Sequence, residues 1–342
     1  MIEIIRPGAL ASVQDLGRPG FRRFGVGTAG ALDTVALTIG NRLLGNPAGD
    51  AAIEFTLGRA AVRFHADMRV ALTGAECRAN LDGVPVWSWH AFDVRRGETL
   101  TLSAAQGGTR TYLCVAGGIA VAPVMDSRST DLKAGFGGLG GRALREGDRF
   151  DAGRPGVAED SDWLGVQAPA WALPVTKLGN ATPIRMLPGI EYEDFDAAAH
   201  EALWQSDWIV TPNSNRMGLR LQGPALARQP ERAADLLSHG VLPGVVQVPP
   251  AGQPIVLMAD AQTTGGYPKI GVVIGADLWR LAQVPLGAPV RFVRVTLDEA
   301  AAAQAELDRY LQQLDQALQW QGDGMVIASR RRTRSHAAAA VA

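Results

Sequence analysis

Short apolar runs broken by turn residues fill the first half of the chain. Residues 2–5, 62–64, 70–73, 99–103 and 111–115 carry the β-branched and aromatic side chains of strands. Pro7-Gly8, Gly74, Asp82-Gly83, Arg96-Gly97, Gly107-Gly108 and Gly117-Gly118 punctuate them. Strands at this spacing predict an all-β barrel or sandwich. One helix interrupts them over 34–44: Asp33 precedes it as N-cap, Val35, Leu37, Ile39, Leu43 and Leu44 form a broad apolar face, and Gly45-Asn46-Pro47 stops it. The second half predicts strands at 184–187, 208–211, 219–222, 245–248, 255–259, 271–274 and 290–295, with a short helix near 195–204. Leu307, Leu311, Leu314 and Leu318 recur at helical spacing after Asp298.

The pattern divides the chain into a first β domain over 1–165, a second over 166–298, a C-terminal helix over 299–320 and a tail over 321–342. Residues 153–180, rich in Pro, Gly and Asp with isolated Trp163 and Trp171, read as the connection. The tail carries Arg330, Arg331, Arg332 and Arg334 before a run of alanines and reads as a disordered end. Each half closes on a glycine turn leading to Arg-Phe, at Arg149-Phe150 and Arg291-Phe292, a faint sign of two similar barrels in tandem.

Composition narrows the function classes. At 342 residues the chain is long for one core. A formal net charge of -1 supplies no field to gather nucleic acid or an anionic membrane. Cys77 and Cys114 sit in strand-like runs without metal-ligand spacing, and the five histidines form no zinc motif. The cysteines read as reduced core thiols of a cytoplasmic protein. The start of the chain reads as a strand, not a signal peptide, and no apolar run approaches the roughly 18 residues of a membrane span.

Chemistry concentrates at 260–269. An apolar run ends in Asp260 and then presents Gln262, Thr263, Thr264, Gly265, Gly266, Tyr267 and Lys269. Polar groups at a buried strand end need protein partners or a ligand, and the glycines open the backbone to close approach. The alternative is an elaborate turn capped by its own side chains. A second cluster, Asn213-Ser214-Asn215-Arg216-Met217-Gly218, offers Arg216 either as a carboxylate holder or as an ion-pair partner for an acid such as Asp260. In the first half, Asp33 is accounted for as a cap, Glu54 as the partner of an arginine, and Arg128 among hydroxyls is an anion-binding candidate. The glycine-rich stretch 135–141 lacks the Gly-Lys-Ser/Thr of a P-loop and reads as a flap or turn. No biotin-bearing Ala-Met-Lys-Met hairpin occurs.

Over residues 5–295 the chain resembles the allophanate hydrolase subunit 2 family, also described as biotin-dependent carboxyltransferase-like, which includes the C subunit of 5-oxoprolinase and an antagonist of a sporulation-kinase inhibitor. The likeness rests on Ser12-Val13-Gln14-Asp15-Leu16-Gly17-Arg18, 41–46, Tyr112-Leu113 with Gly117-Gly118, Ser127-Arg128-Ser129-Thr130, Asn215-Arg216-Met217-Gly218, 244–250 and 260–267. It implies a mostly β fold of tandem cyclophilin-like barrels. It also implies a kinase-inhibitor-like partner of the 5-oxoprolinase B type, the ATP-dependent 5-oxoprolinase being completed by a third subunit. No cofactor is expected on this chain; ATP, and biotin in a urea carboxylase-type reading, belong to partner subunits. A third reading is a non-enzymatic antagonist of a kinase-inhibitor-like protein. The resemblance adds Gln247 to the substrate-binding candidates. Both a lactam and a urea present N–H beside C=O. Asp260 or the Gln262 carbonyl would accept from the N–H, with Asp260 as candidate general base. Thr263, Thr264 and the Gly265 and Gly266 amides would polarise the C=O. Arg216 or Arg128 would hold a carboxylate. The chain departs from the family at Asp126, where glycine is usual, at Leu286-Gly287-Ala288 in place of Pro-Gly-Asp, and at His239, which replaces a glutamate.

Overall fold

The computed structural model describes residues 1–154, 164–169, 179–230 and 236–339, with side chains to residue 320 of the last helix. Most of the expected connection at 153–180 therefore lies outside the described residues. Period-two alternation builds the first half. In the strand Ile2–Arg6, Ile2 and Ile4 are fully buried while Glu3 and Ile5 are partly exposed. A seven-stranded sheet runs in the order Ile119–Ala120, Arg149–Ala152, Ile2–Arg6, Ala61–Phe64, Thr99–Thr101, Ala79–Leu81, Val84–Val86. A six-stranded sheet runs Leu164–Gly165, His90–Val94, Met68–Glu76, Gln106–Val115, Ala52–Thr56, Leu10–Gln14. Ile2, Ile4, Phe64 and Leu100 from the first pack against Val13, Phe55, Leu72, Phe92 and Leu113 from the second in one core.

The second half closes into a seven-stranded barrel: Thr182–Pro188, Lys269–Val273, Val245–Gln247, Ile255–Leu257, Gly218–Gln222, Trp208–Val210, Pro289–Arg294. Its closure is a parallel pair, Thr182–Pro188 beside Pro289–Arg294, with Ile184 opposite Phe292. Ile184, Trp208, Leu221, Val246, Val256, Ile270 and Phe292 fill its interior. The fold is thus mostly β, with one closed barrel and a few helices.

The helices sit largely at the seam. Helix α1 (Thr34–Leu43) begins as its sequence dictates, with the Asp33 carboxylate accepting from Ala36 N at 2.8 Å. Every residue from Val35 to Asn41 is buried, because the six-stranded sheet covers one side and second-half elements the other. Gly40 is required there: a β-carbon would fall 2.6 Å from Cys114 Sγ. Helix α2 (Ala197–Gln205) is capped by Asp196 and lies on the barrel. Helix α3 (Leu278–Gln283) follows a 3₁₀ turn, and helix α4 runs Leu297–Ala339, beyond residue 320 where the apolar spacing ends. A joint core mixes the halves: Val35, Leu37, Ile39, Tyr112 and Cys114 pack with Ile274, Trp279, Ala303, Leu307 and Leu314. Gln283 pins the seam. Its Oε1 accepts from Thr109 N (2.9 Å) and Arg110 N (3.0 Å), and its Nε2 donates to Asp33 (2.8 Å). Cys77 and Cys114 are buried and unbridged, and burial pushes both thiols up.

Candidate functional site

Two polar clusters are built into this frame, and the candidate residues divide between them. The first spans the seam. Arg216 enters from the turn before Gly218–Gln222 and is 4% exposed. Its Nε and Nη2 each bond Asp260 at 2.9 Å, a bidentate pair. Its Nη1 reaches Glu54 of the first half at 2.5 Å, and Nη2 also donates to Gly30 O. Glu54 further accepts from the Tyr112 hydroxyl (2.6 Å) and Leu32 N (2.9 Å), with Arg110 at 3.8 Å. Burial works against all these charges. For Glu54 the two guanidinium groups and its donors outweigh it and hold the carboxyl below its usual value. Asp260 is pushed up by burial and by the nearby Glu54 and Asp131, which outweigh its pairing with Arg216. Burial likewise opposes the Arg216 charge, but its two carboxylates win and raise it. This lattice joins the halves, and both Asp260 oxygens are occupied within it.

The second cluster lies on the outer face of the barrel. Val246 and Val248 pack in the barrel core, so alternation turns Gln247 outward, and a bulge between Val246 and Gln247 sets Lys269 directly opposite it. A two-stranded ladder, His239–Gly240 with Thr264–Gly265, covers them, leaving Gln247 2% and Lys269 3% exposed. Arg22 of the first half ties this cover down, donating to Val241 O and to Gln262 O (2.8 Å). Gln262 Nε2 donates to Gln247 Oε1 at 3.3 Å and so fixes the Gln247 amide. Gln247 Nε2 is then buried with no partner among the described residues. A β-carbon at Gly265 would fall 2.5 Å from that nitrogen, so glycine keeps its approach open. Lys269 Nζ contacts His239 Nε2, which lies 3.2 Å from Glu191 Oε1. Glu191 Oε2 accepts from Lys269 N at 2.9 Å, and its Oε1 is 4.0 Å from Nζ. Burial lowers the Lys269 amine, opposed by Glu191.

Of the candidate residues, then, Gln247, Gln262 and Lys269 come together under the ladder, with Gly265 in the ladder itself above the Gln247 amide. Thr264 lies on the ladder and is exposed, and Thr263 O accepts from Val241 N at 3.0 Å. Gly266 and Tyr267 face away, into a pocket of about 580 Å³ bounded by Leu226, Pro249, Pro250 and Pro268. Asp260 and Arg216 belong to the seam lattice. Arg128 stays in the first half: its Nε donates to Val121 O (3.0 Å), and its backbone N to Asp15 (2.5 Å). Asp15 also accepts from Ser127 Oγ and Ser129 Oγ, so the Ser12–Arg18 and Ser127–Thr130 motifs brace each other. Glu191 escaped the sequence reading entirely, and His239 entered it only as a departure. They stand 78 and 30 positions from Lys269, and no local spacing links them.

The fold and these motifs define a class. The chain belongs to the carboxyltransferase domain family, subdomains A and B, whose model matches residues 24–294. Among individual relatives, it is 51% identical to the 5-oxoprolinase C subunit of Escherichia coli (strain K12) over 314 residues, covering 92% of this chain and 97% of that protein. It is 43% identical to the 5-oxoprolinase C subunit of Haemophilus influenzae, again over 92% and 97%. The crystal structure of the Kluyveromyces lactis urea amidolyase superposes with a TM-score of 0.82 at 27% identity, over 92% of this chain and 20% of that one. Among the described residues no group of His, Cys, Asp or Glu is arranged to hold a metal ion, and no helix is long and apolar enough to cross a membrane.

Proposed function

We propose that this chain is the C-type component of an ATP-dependent 5-oxoprolinase, which opens 5-oxoproline to L-glutamate together with a B-type, kinase-inhibitor-like partner and a third subunit. The observation that carries the reading is the 51% identity to a 5-oxoprolinase C subunit over nearly the whole of that protein. The cluster under the ladder fits the substrate's chemistry. Gln247 Nε2 is a buried donor for a carbonyl or carboxylate oxygen, and the Gln262 side-chain oxygen and the neutral Lys269 Nζ beside it are acceptors for a lactam N–H. Gly265 lets the ligand reach the Gln247 amide, and Thr263, Thr264 and Gly266 form the adjoining wall. In this reading Asp260 and Arg216 brace that wall across the seam and do not touch substrate, because each oxygen of Asp260 already accepts from Arg216. Removing Asp260 would then act through the seam rather than through a lost base. ATP is handled by a partner chain, the two halves are read as tandem cyclophilin-like barrels, and the working compartment is the cytoplasm.

A carboxyltransferase acting with a biotinylated partner is the second reading, favoured by the match to the urea amidolyase structure. One reconstitution separates the two. The assembled chains are assayed for glutamate release from 5-oxoproline with ATP, with this chain present and omitted. Release that requires this chain supports the first reading; no release in the complete mixture rejects it.

A further inference from the structure

The chain carries 33 basic residues, of which only Lys133, Lys177 and Lys269 are lysines. In a protein that otherwise supplies positive charge as arginine, a buried lysine is a chemical choice. An ammonium can surrender its proton near neutrality when desolvated, whereas a guanidinium cannot. Lys269 is that residue, 3% exposed, with Nζ against His239 Nε2. His239 is 39% exposed, so the imidazole connects a buried amine to solvent. Glu191 holds the arrangement from a third side. One oxygen is fixed by the Lys269 backbone N–H, and the other faces both Nζ and Nε2. On the opposite flank the unpartnered Gln247 amide marks where a ligand atom would sit beside Nζ. Glu191 and His239 are the charged or titratable groups that face Nζ among the described residues; Gln247 and Gln262 are neutral.

We propose that Lys269 is the proton carrier of this site, exchanging its proton with solvent through His239 while Glu191 keeps the two in register. The neutral Nζ takes a proton from the amide-type ligand and becomes ammonium. It passes that proton to Nε2 of the imidazole, whose Nδ1 proton leaves to water at the exposed edge. One proton enters and one leaves, and the carboxylate charge is unchanged throughout. Running the sequence backwards returns a proton to the product amine. The ligand class rests on the function proposed above; the Lys269–His239 coupling does not.

Two experiments separate the claims. In the isolated chain, ¹³C-labelled lysine gives three ε-methylene signals, with Lys269 identified by Lys269→Arg. The Lys269 signal is expected to titrate in two steps in the wild type and in a single step in His239→Gln. A single-step titration unaffected by His239→Gln overturns the proposal. In the reconstituted complex, Lys269→Arg keeps the charge but cannot release a proton, and His239→Gln keeps an acceptor but cannot relay one. Both are expected to lower kcat by about 10²-fold with little change in KM, and added imidazole should restore His239→Gln. Full kcat in both variants sinks the relay and leaves the function standing. A complex inert toward 5-oxoproline whose isolated chain shows the coupled titration sinks the function and leaves the relay standing.

Discussion

Replacing Arg216 with methionine tests the seam most severely. The change keeps a long apolar stem but removes the donors that bind Asp260 twice, Glu54 once and Gly30 O once. The two carboxylates are left in unequal positions. Glu54 keeps the Tyr112 hydroxyl, the Leu32 amide and Arg110, whereas Asp260 loses both of its guanidinium bonds. Breaking a buried pair by removing one partner costs about 3–5 kcal/mol, and the stranded Asp260 places Arg216→Met in that range. The loss should depend on pH. Asp260 already sits above its usual value, and losing Arg216 raises it further. A carboxyl raised in the folded state lowers stability as pH rises through that value. Urea unfolding followed by tryptophan fluorescence should therefore show a larger deficit at pH 8 than at pH 5.5. Adding Asp260→Asn to Arg216→Met should recover about 1–3 kcal/mol, because the stranded charge is gone. A deficit below about 1 kcal/mol, or one equal at both pH values, refutes the seam lattice as described.

Asp33 gives a second pH signature. Its carboxyl is pushed up to about 6 by burial, against the donors Gln283 and Ala36. From pH 7 down to pH 4 the wild type should gain about 2.4 kcal/mol relative to Asp33→Asn, measured by urea unfolding of both. Gly265→Ala displaces the Gln247 amide, the far end of a flexible side chain, and Gly265 has no left-handed φ. It should cost only about 1 kcal/mol of stability yet raise the KM for 5-oxoproline at least tenfold. Arg128→Ala, which removes a side-chain bond to Val121 O within the first half, should leave KM within about twofold, since surface changes away from a site are near neutral.

What the sequence disclosed follows from range. Ile2 and Ile4 alternate against exposed neighbours, and Asp33 caps its own helix, so those elements were readable locally. The strand Leu10–Gln14 was not, because Ser12 and Gln14 are buried polar residues whose partners lie elsewhere in the chain, as in Gln14 Nε2 to Thr130 O. Helix α3 is six residues without a side-chain cap, too short for a periodic signal. Helix α4 passes through Gly322 and Gly324, where the sequence reading ended it; each glycine costs a helix only about 1 kcal/mol. For the site, the polar run after Asp260 correctly marked a place where groups converge, and an Arg216–Asp260 pair was one of the alternatives it left open. The run itself gives no hint that alternate residues serve different ends. Asp260 turns to the seam, Gln262 and Lys269 turn beneath the ladder, and Tyr267 turns to the pocket beyond. Glu54 to Arg216 spans 162 positions, and Glu191 to Lys269 spans 78, so neither contact could be read before the strands were paired.

The most direct test of the account places Lys269→Met in the assembled complex and follows ATP-dependent glutamate release from 5-oxoproline. Lys269 is buried on the outer barrel face, and methionine preserves its apolar stem, so the variant should fold and assemble. An intact complex whose release falls by about 10²-fold or more is expected. An intact complex that releases glutamate at the wild-type rate would contradict it.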